Sequence, residues 1–202
     1  MKNTFQYLLI VVFIIQSCAT FKPQYSSDAK QDIYPKDKKV VHTFFLVGDA
    51  GNVFDAANIF NSLTENLNTA SKNSTLLFLG DNIYPSGMPK KEDNNRNDAE
   101  KKLQNQIDVA TQFKGKTIFI PGNHDWYSNG VQGLKRQQEF VEKQLGKKSF
   151  LPKNGCAIET VNISNDIVLI IVDSQWYITN WDKETTINED CDIKTRTAFL
   201  DE

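Results

Sequence analysis

The sequence predicts an α/β domain in which a parallel sheet is built from strands joined by crossover helices. Short apolar runs alternate with helix-period segments from Val40 onward, the first three runs each stop at a glycine-led polar step, and the last two are separated by only a turn. At 202 residues and 40% hydrophobic, the chain can bury a core and form one domain.

Val40 to Val47 (VVHTFFLV) is short, β-branched and aromatic, and reads as the first strand. Gly48 to Gly51 interrupts it. Asn52 can cap a helix whose apolar face is Phe54, Ile59, Phe60, Leu63 and Leu67. Thr75 to Leu79 is the second strand and stops at Gly80-Asp81. A polar stretch from Pro85 to Asp98 leads to a helix over Ala99 to Phe113, and Lys116 to Ile120 is the third strand, ending at Pro121-Gly122. Val131 to Leu145 has a helical period. Cys156 to Ile163 and Ile167 to Val172 read as a hairpin about Ser164-Asn165-Asp166. The continuously apolar strands predict burial on both faces of the sheet.

The first 39 residues have a different character. Met1-Lys2-Asn3 is a basic start, Leu8 to Ile15 is unbroken and apolar, and Ser17-Cys18-Ala19 follows at once. The run is short for a permanent span and suits the core of a secretory signal peptide over residues 1–17. Its placement of Cys18 resembles the lipobox of bacterial lipoproteins, which implies lipidation of Cys18 and a membrane-anchored protein of the cell envelope. Residues 18–39 carry Pro23, Pro35 and mixed polar residues with no apolar period, as a tether does. In an oxidising compartment Cys156 and Cys191 remain as an even pair, either bridged or as two buried thiols. The formal net charge of -2, with both signs mixed along the chain, offers no basic face for nucleic acid.

In parallel sheets functional groups stand beyond the carboxyl ends of the strands. Three consecutive strands here end in oxygen donors: Asp49; Asp81 with Asn82 and Tyr84; and Asn123 with His124 and Asp125. Each set follows a glycine, which lets the backbone turn tightly toward a shared point. Carboxylate, amide and phenolate oxygens suit hard or borderline divalent and trivalent cations, with Asp81 on the central motif as the natural bridge between two of them. Paired ions would clamp a phosphate and acidify a water, and His124 is placed to stabilise phosphoryl oxygens or protonate a leaving alcohol. Taken singly, Asp49 fits a turn, Asn123 a helix cap, Tyr84 packing and His124 a structural role. Their conjunction points to a metal site.

Gly48-Asp49-Ala50-Gly51, Gly80-Asp81-Asn82-Ile83-Tyr84 and Gly122-Asn123-His124-Asp125 together resemble the first three motifs of calcineurin-like metallophosphoesterases. The purple acid phosphatase branch is the nearest in pattern. Most of that superfamily has Asp-x-His in the first motif; Gly51 occupies the histidine position here, and Tyr84 matches the tyrosine that replaces it in that branch. The resemblance implies the N-terminal part of a metallophosphoesterase-type α/β sandwich, with mixed sheets flanked by helices, over residues 40–202. It implies Asp49 and Tyr84 on one ion, Asp81 bridging, Asn123 on the other ion and His124 as the catalytic histidine. The two divalent or trivalent ions would be iron with iron, zinc or manganese, and the substrate a phosphoester.

One departure stands against this. The family site is finished by three further histidine ligands, and this sequence has two histidines in all, His124 and His42. His42 lies seven residues before Asp49, about 20 Å away along a strand, and is expected to be structural or on the surface. Thr195 to Glu202 opens an amphipathic helix, which fits a domain incomplete at its C-terminus. The alternative is a catalytically inactive envelope lipoprotein that binds phosphate or metal. Lys90, Lys91 and Arg96 in the polar stretch are candidates for substrate contact, against a plain solvated loop. Trp176 and Trp181 are candidates for a pocket wall, against aromatic packing.

Overall fold

The computed structural model describes residues 38–52, 56–181 and 190–202. The chain divides into Met1–Lys39 and Val40–Glu202, and the fold is that of the second unit. The expected signal peptide, Cys18, nearly all of the tether, and Phe54 lie outside the described residues. No helix among the described residues is long and apolar enough to cross a membrane.

The architecture is mixed α/β with a parallel sheet and helices, as the strand–helix alternation predicts. Strands β1 (Thr43–Val47), β2 (Ser74–Phe78) and β3 (Lys116–Phe119) form a parallel sheet in the order β1-β2-β3. Helix α1 (Ala56–Asn68) connects the first two strands, and α2 (Arg96–Thr111) leads into the third. Then come the single turn α3 (Asn123–Trp126) and the long α4 (Gly130–Leu145). Strands β4 (Ile158–Asn162) and β5 (Val168–Val172) are the expected antiparallel hairpin. Helices α5 (Ser174–Ile178) and α6 (Arg196–Asp201) follow.

The two faces of the central sheet have separate cores. Leu76, Phe78 and Phe119 pack with Leu67 of α1, Leu103 and Ile107 of α2, and Leu134 of α4. Leu77 and Ile118, pointing the other way, pack with Leu151 and with Ile171 of β5. This is the strand alternation at work: neighbours along β2 serve opposite layers. The expectation that all the strands are buried on both faces holds only for β2, which is buried throughout. Leu46 on β1 is 61% exposed and Ile170 on β5 is 65% exposed. Both strands have a half-solvated alternation that an all-apolar composition conceals.

Cys156 and Cys191 are bonded, with a Cα separation of 5.4 Å. The bridge ties the start of the hairpin to the segment before α6. Phe199 of α6 stacks on Trp176 with centroids 5.7 Å apart, while its neighbour Leu200 stays exposed.

Candidate metal centre

All three glycine-led steps meet at the carboxyl edge of the parallel sheet. The Asp49 amide donates to the Gly80 carbonyl at 3.2 Å and the Gly51 amide to the Asp81 carbonyl at 3.1 Å, so the first two turns are joined through their backbones. Asp49 and Asp81 are both left-handed, with φ of 58° and 53°. Aspartate tolerates that region better than most residues, at some cost, and such strain gathers at functional sites. A Cβ on Gly122 would lie 2.3 Å from Asp81 Oδ1, so that glycine is what lets the third turn reach the second.

These turns bring three of the expected donors together. The Tyr84 hydroxyl donates to Asp49 Oδ1 at 2.6 Å and lies 2.7 Å from Asp81 Oδ2. Its proton is held between two carboxylates, first by the bond to Asp49 and then by that to Asp81, which raises its pKa well above the ordinary 10. Two carboxylates and a phenol converging in this way are the hard-oxygen set that a divalent or trivalent cation takes, and uptake of the cation would expel that proton. Asp81 faces both ways: its other oxygen, Oδ1, accepts the His124 backbone amide at 3.0 Å.

His124 stands between two aromatic rings, with Tyr84 at 4.2 Å and Tyr127 at 4.9 Å between centroids. Its Nδ1 is 2.6 Å from the Pro85 carbonyl, an acceptor only, so Nδ1 carries a proton and Nε2 is left to exchange one. Asn123 is not bonded to Asp49, Asp81 or Tyr84. Its amide nitrogen donates to the Tyr127 hydroxyl at 2.6 Å. Tyr127 was not singled out by the sequence. Its position four residues after Asn123, on the same helical side, is the signal that could have found it.

Two of the expected strand-end donors are turned away from the site. Asp125 and Asn82 are fully buried. Asp125 Oδ2 accepts from the amides of Gly122 at 2.8 Å and Asn82 at 3.1 Å, and Oδ1 from that of Ile83 at 3.2 Å. Asp125 therefore clamps the second turn to the third, and burial raises its pKa to about 6. Gln106 of α2 donates to the Asn82 carbonyl at 2.7 Å and holds the same turn from behind. Of the candidate substrate cations, Arg96 is buried and engaged with Glu100 and the Pro89 carbonyl, so it shapes the loop. Lys90 and Lys91 are exposed. Trp176 is buried and Trp181 packs on it at 4.9 Å in an aromatic cluster, and Trp181 also lines a surface pocket with Asn180 and Arg196.

His42 is far from this edge. Its Nε2 lies 2.9 Å from Thr75 Oγ1, near the amino end of β2.

Asp173, directly after β5, is a second buried carboxylate, and burial raises its pKa to about 7 against the opposing effect of three N–H donors. An acid whose pKa is higher folded than unfolded contributes stability that is complete below about pH 4 and lost as pH rises through 7. Asp173→Asn removes this dependence, worth on the order of a few kcal/mol. Urea unfolding at pH 5 and pH 8 should therefore show the variant gaining on the wild type at the higher pH. A pH-independent difference would contradict this.

A family model described as calcineurin-like phosphoesterase matches residues 41–202. No curated protein and no solved structure matches the chain. The match runs from the first strand through every glycine-led turn at the sheet edge, and covers well over half of the sequence. The chain thus belongs to the calcineurin-like phosphoesterases, hydrolases of phosphoester bonds.

Proposed function

We propose that the chain hydrolyses phosphoesters at a dinuclear metal centre of the purple acid phosphatase type, as a lipid-anchored protein of a bacterial cell envelope. The observation that carries the reading is Tyr84, whose hydroxyl sits between Asp49 and Asp81 while the Gly51 position is closed to any side chain. A Cβ at Gly51 would lie 2.4 Å from the Asn82 backbone carbon and oxygen. Tyrosine thus serves where a histidine cannot enter.

In this reading Asp49 and Tyr84 would hold one ion, Asp81 would be shared between two, and Asn123 would hold the second. The ions are iron with iron, zinc or manganese. When bound they supply Lewis acidity, neutralising phosphoryl charge and making water acidic. His124, with its Nδ1–H held by the Pro85 carbonyl, would act as the imidazolium, presenting Nε2–H to the phosphoryl oxygens and passing that proton to the departing alcohol.

Ferric loading tests the ligand set. A tyrosinate on Fe³⁺ absorbs visible light by charge transfer, so the loaded wild type is expected to be coloured and Tyr84→Phe colourless. A colourless wild type carrying bound iron would remove Tyr84 from the set. The anchor has its own test: Cys18→Ser should move the protein from the membrane to the soluble fraction, and unchanged membrane association would sink the lipid anchor.

A second reading is favoured by one observation. Among the described residues no group of three His, Cys, Asp or Glu side chains is gathered to hold a metal. The chain would then bind phosphate or a single cation at the same edge without turnover. Calorimetric binding of Mn²⁺ or inorganic phosphate, with no release of alcohol from an aryl phosphate, would decide for it.

A further inference from the structure

Helix α3 carries Asn123 and His124, and it is a single turn of four residues. One turn has almost no stability of its own, so its position is set by whatever holds it from outside. On one side Asp125 ties it to the turn after β2, as described above. On the other side its last residue, Trp126, is 4% exposed and its indole N–H donates to Asp173 Oδ2 at 2.8 Å.

Asp173 is itself held rigidly. Its backbone amide donates to the Ala157 carbonyl at 2.8 Å, next to β4. Its Oδ1 caps α5 by accepting from the amides of Gln175 at 3.0 Å and Trp176 at 3.3 Å. One oxygen thus serves the cap, and the second is given wholly to Trp126. Capping explains only half of this side chain, since a serine or threonine would cap α5 as well. Stability alone does not select this partner: the buried indole N–H needs an acceptor, but a neutral one would serve without the desolvation cost of a carboxylate that is 2% exposed. What the second oxygen provides is direction, because a hydrogen bond fixes the indole plane where packing alone tolerates rotation.

We propose that Asp173 is a positioning residue: through the indole N–H of Trp126 it sets the placement of α3, and with it the stance of Asn123 and His124. The inference rests on the proposed function for its catalytic meaning, and its structural content can be read separately. The His124 imidazole lies two residues before Trp126, and its bond to the Pro85 carbonyl depends on where α3 stands.

The chain's two histidines make the test direct. In the full chain, the imidazole resonances of His124 and His42 can be followed by NMR and assigned by substituting His42. Trp126→Phe keeps an aromatic ring but deletes the donor, and Asp173→Asn keeps the cap but turns an amide toward the indole. Each is expected to shift the His124 resonances and leave those of His42, at the other end of the sheet, in place. Unshifted His124 resonances in Trp126→Phe would overturn the proposal, as would His42 and His124 shifting together, the mark of general loosening. If Asp173→Asn fails to fold, Trp126→Phe alone decides. A selective His124 shift in a protein that turns over no phosphoester would keep the positioning role and retire the catalytic reading.

Discussion

Asp81→Ala is expected to abolish metal-dependent hydrolysis of a generic aryl phosphate and to strip the site of metal. Asp81 joins the second turn to the third through both its oxygens, with Oδ2 beside the Tyr84 hydroxyl at 2.7 Å and Oδ1 accepting the His124 amide at 3.0 Å. Losing a residue that only orients a metal ligand costs about 10- to 100-fold in affinity or activity, and loss of a bridging carboxylate should exceed about 100-fold. The substitution also removes one of the two carboxylates that hold the Tyr84 proton and the acceptor that receives the His124 amide. Metal content after dialysis and turnover at saturating substrate are the two measurements. Wild-type turnover in Asp81→Ala would refute the bridging role.

Gly51→His is expected to damage the protein, although it restores the Asp-x-His pattern found in most of the superfamily. The added Cβ would lie 2.4 Å from the carbon and oxygen of Asn82 and 2.6 Å from the nitrogen of Ile83, all backbone atoms. They cannot give way cheaply, because the amides of Asn82 and Ile83 are both held by the buried Asp125 carboxylate. Overpacking against an immobile backbone costs about 3 kcal/mol or more, or roughly 10 °C of melting temperature in a chain of this size. The first turn would lift away from the second, separating Asp49 from Tyr84. Thermal melting and ferric charge-transfer absorption should both fall. An unchanged melting temperature with tighter metal binding would show that the turn is more pliable than its hydrogen bonds suggest.

The strands, their parallel arrangement and the converging turns were legible because they depend on local signals. Thr75 to Phe78 is buried whole, while Leu79, the last apolar residue of that run, is 46% exposed just before the glycine that turns the chain. Which way each side chain then points is a tertiary matter. Asp125 and His124 are adjacent in sequence, yet on the single turn α3 one faces the interior and the other the site, and no periodicity in four residues says which. The partnership of Trp126 with Asp173 spans 47 residues and depends on how the hairpin packs behind the sheet. The half-exposed faces of β1 and β5 were hidden for a related reason, since a strand's composition does not tell how many layers cover it. Gly51 and Tyr84 were readable as a pair from the resemblance, but the closed backbone that makes the glycine necessary became visible only in three dimensions.

The Cys156–Cys191 bridge bears on how the last segment is held. Helix α6 is short, none of its residues is buried, and it is fastened by Phe199 on Trp176 and by Arg196, which donates to the Tyr177 and Thr179 carbonyls at 2.8 and 2.9 Å. Among the described residues these contacts hold the last segment near the hairpin, and the bridge adds a covalent tie that removes chain entropy from the unfolded state. Reduced, the segment that ends in α6 would lean on those side-chain contacts; bridged, it is also held covalently at Cys191.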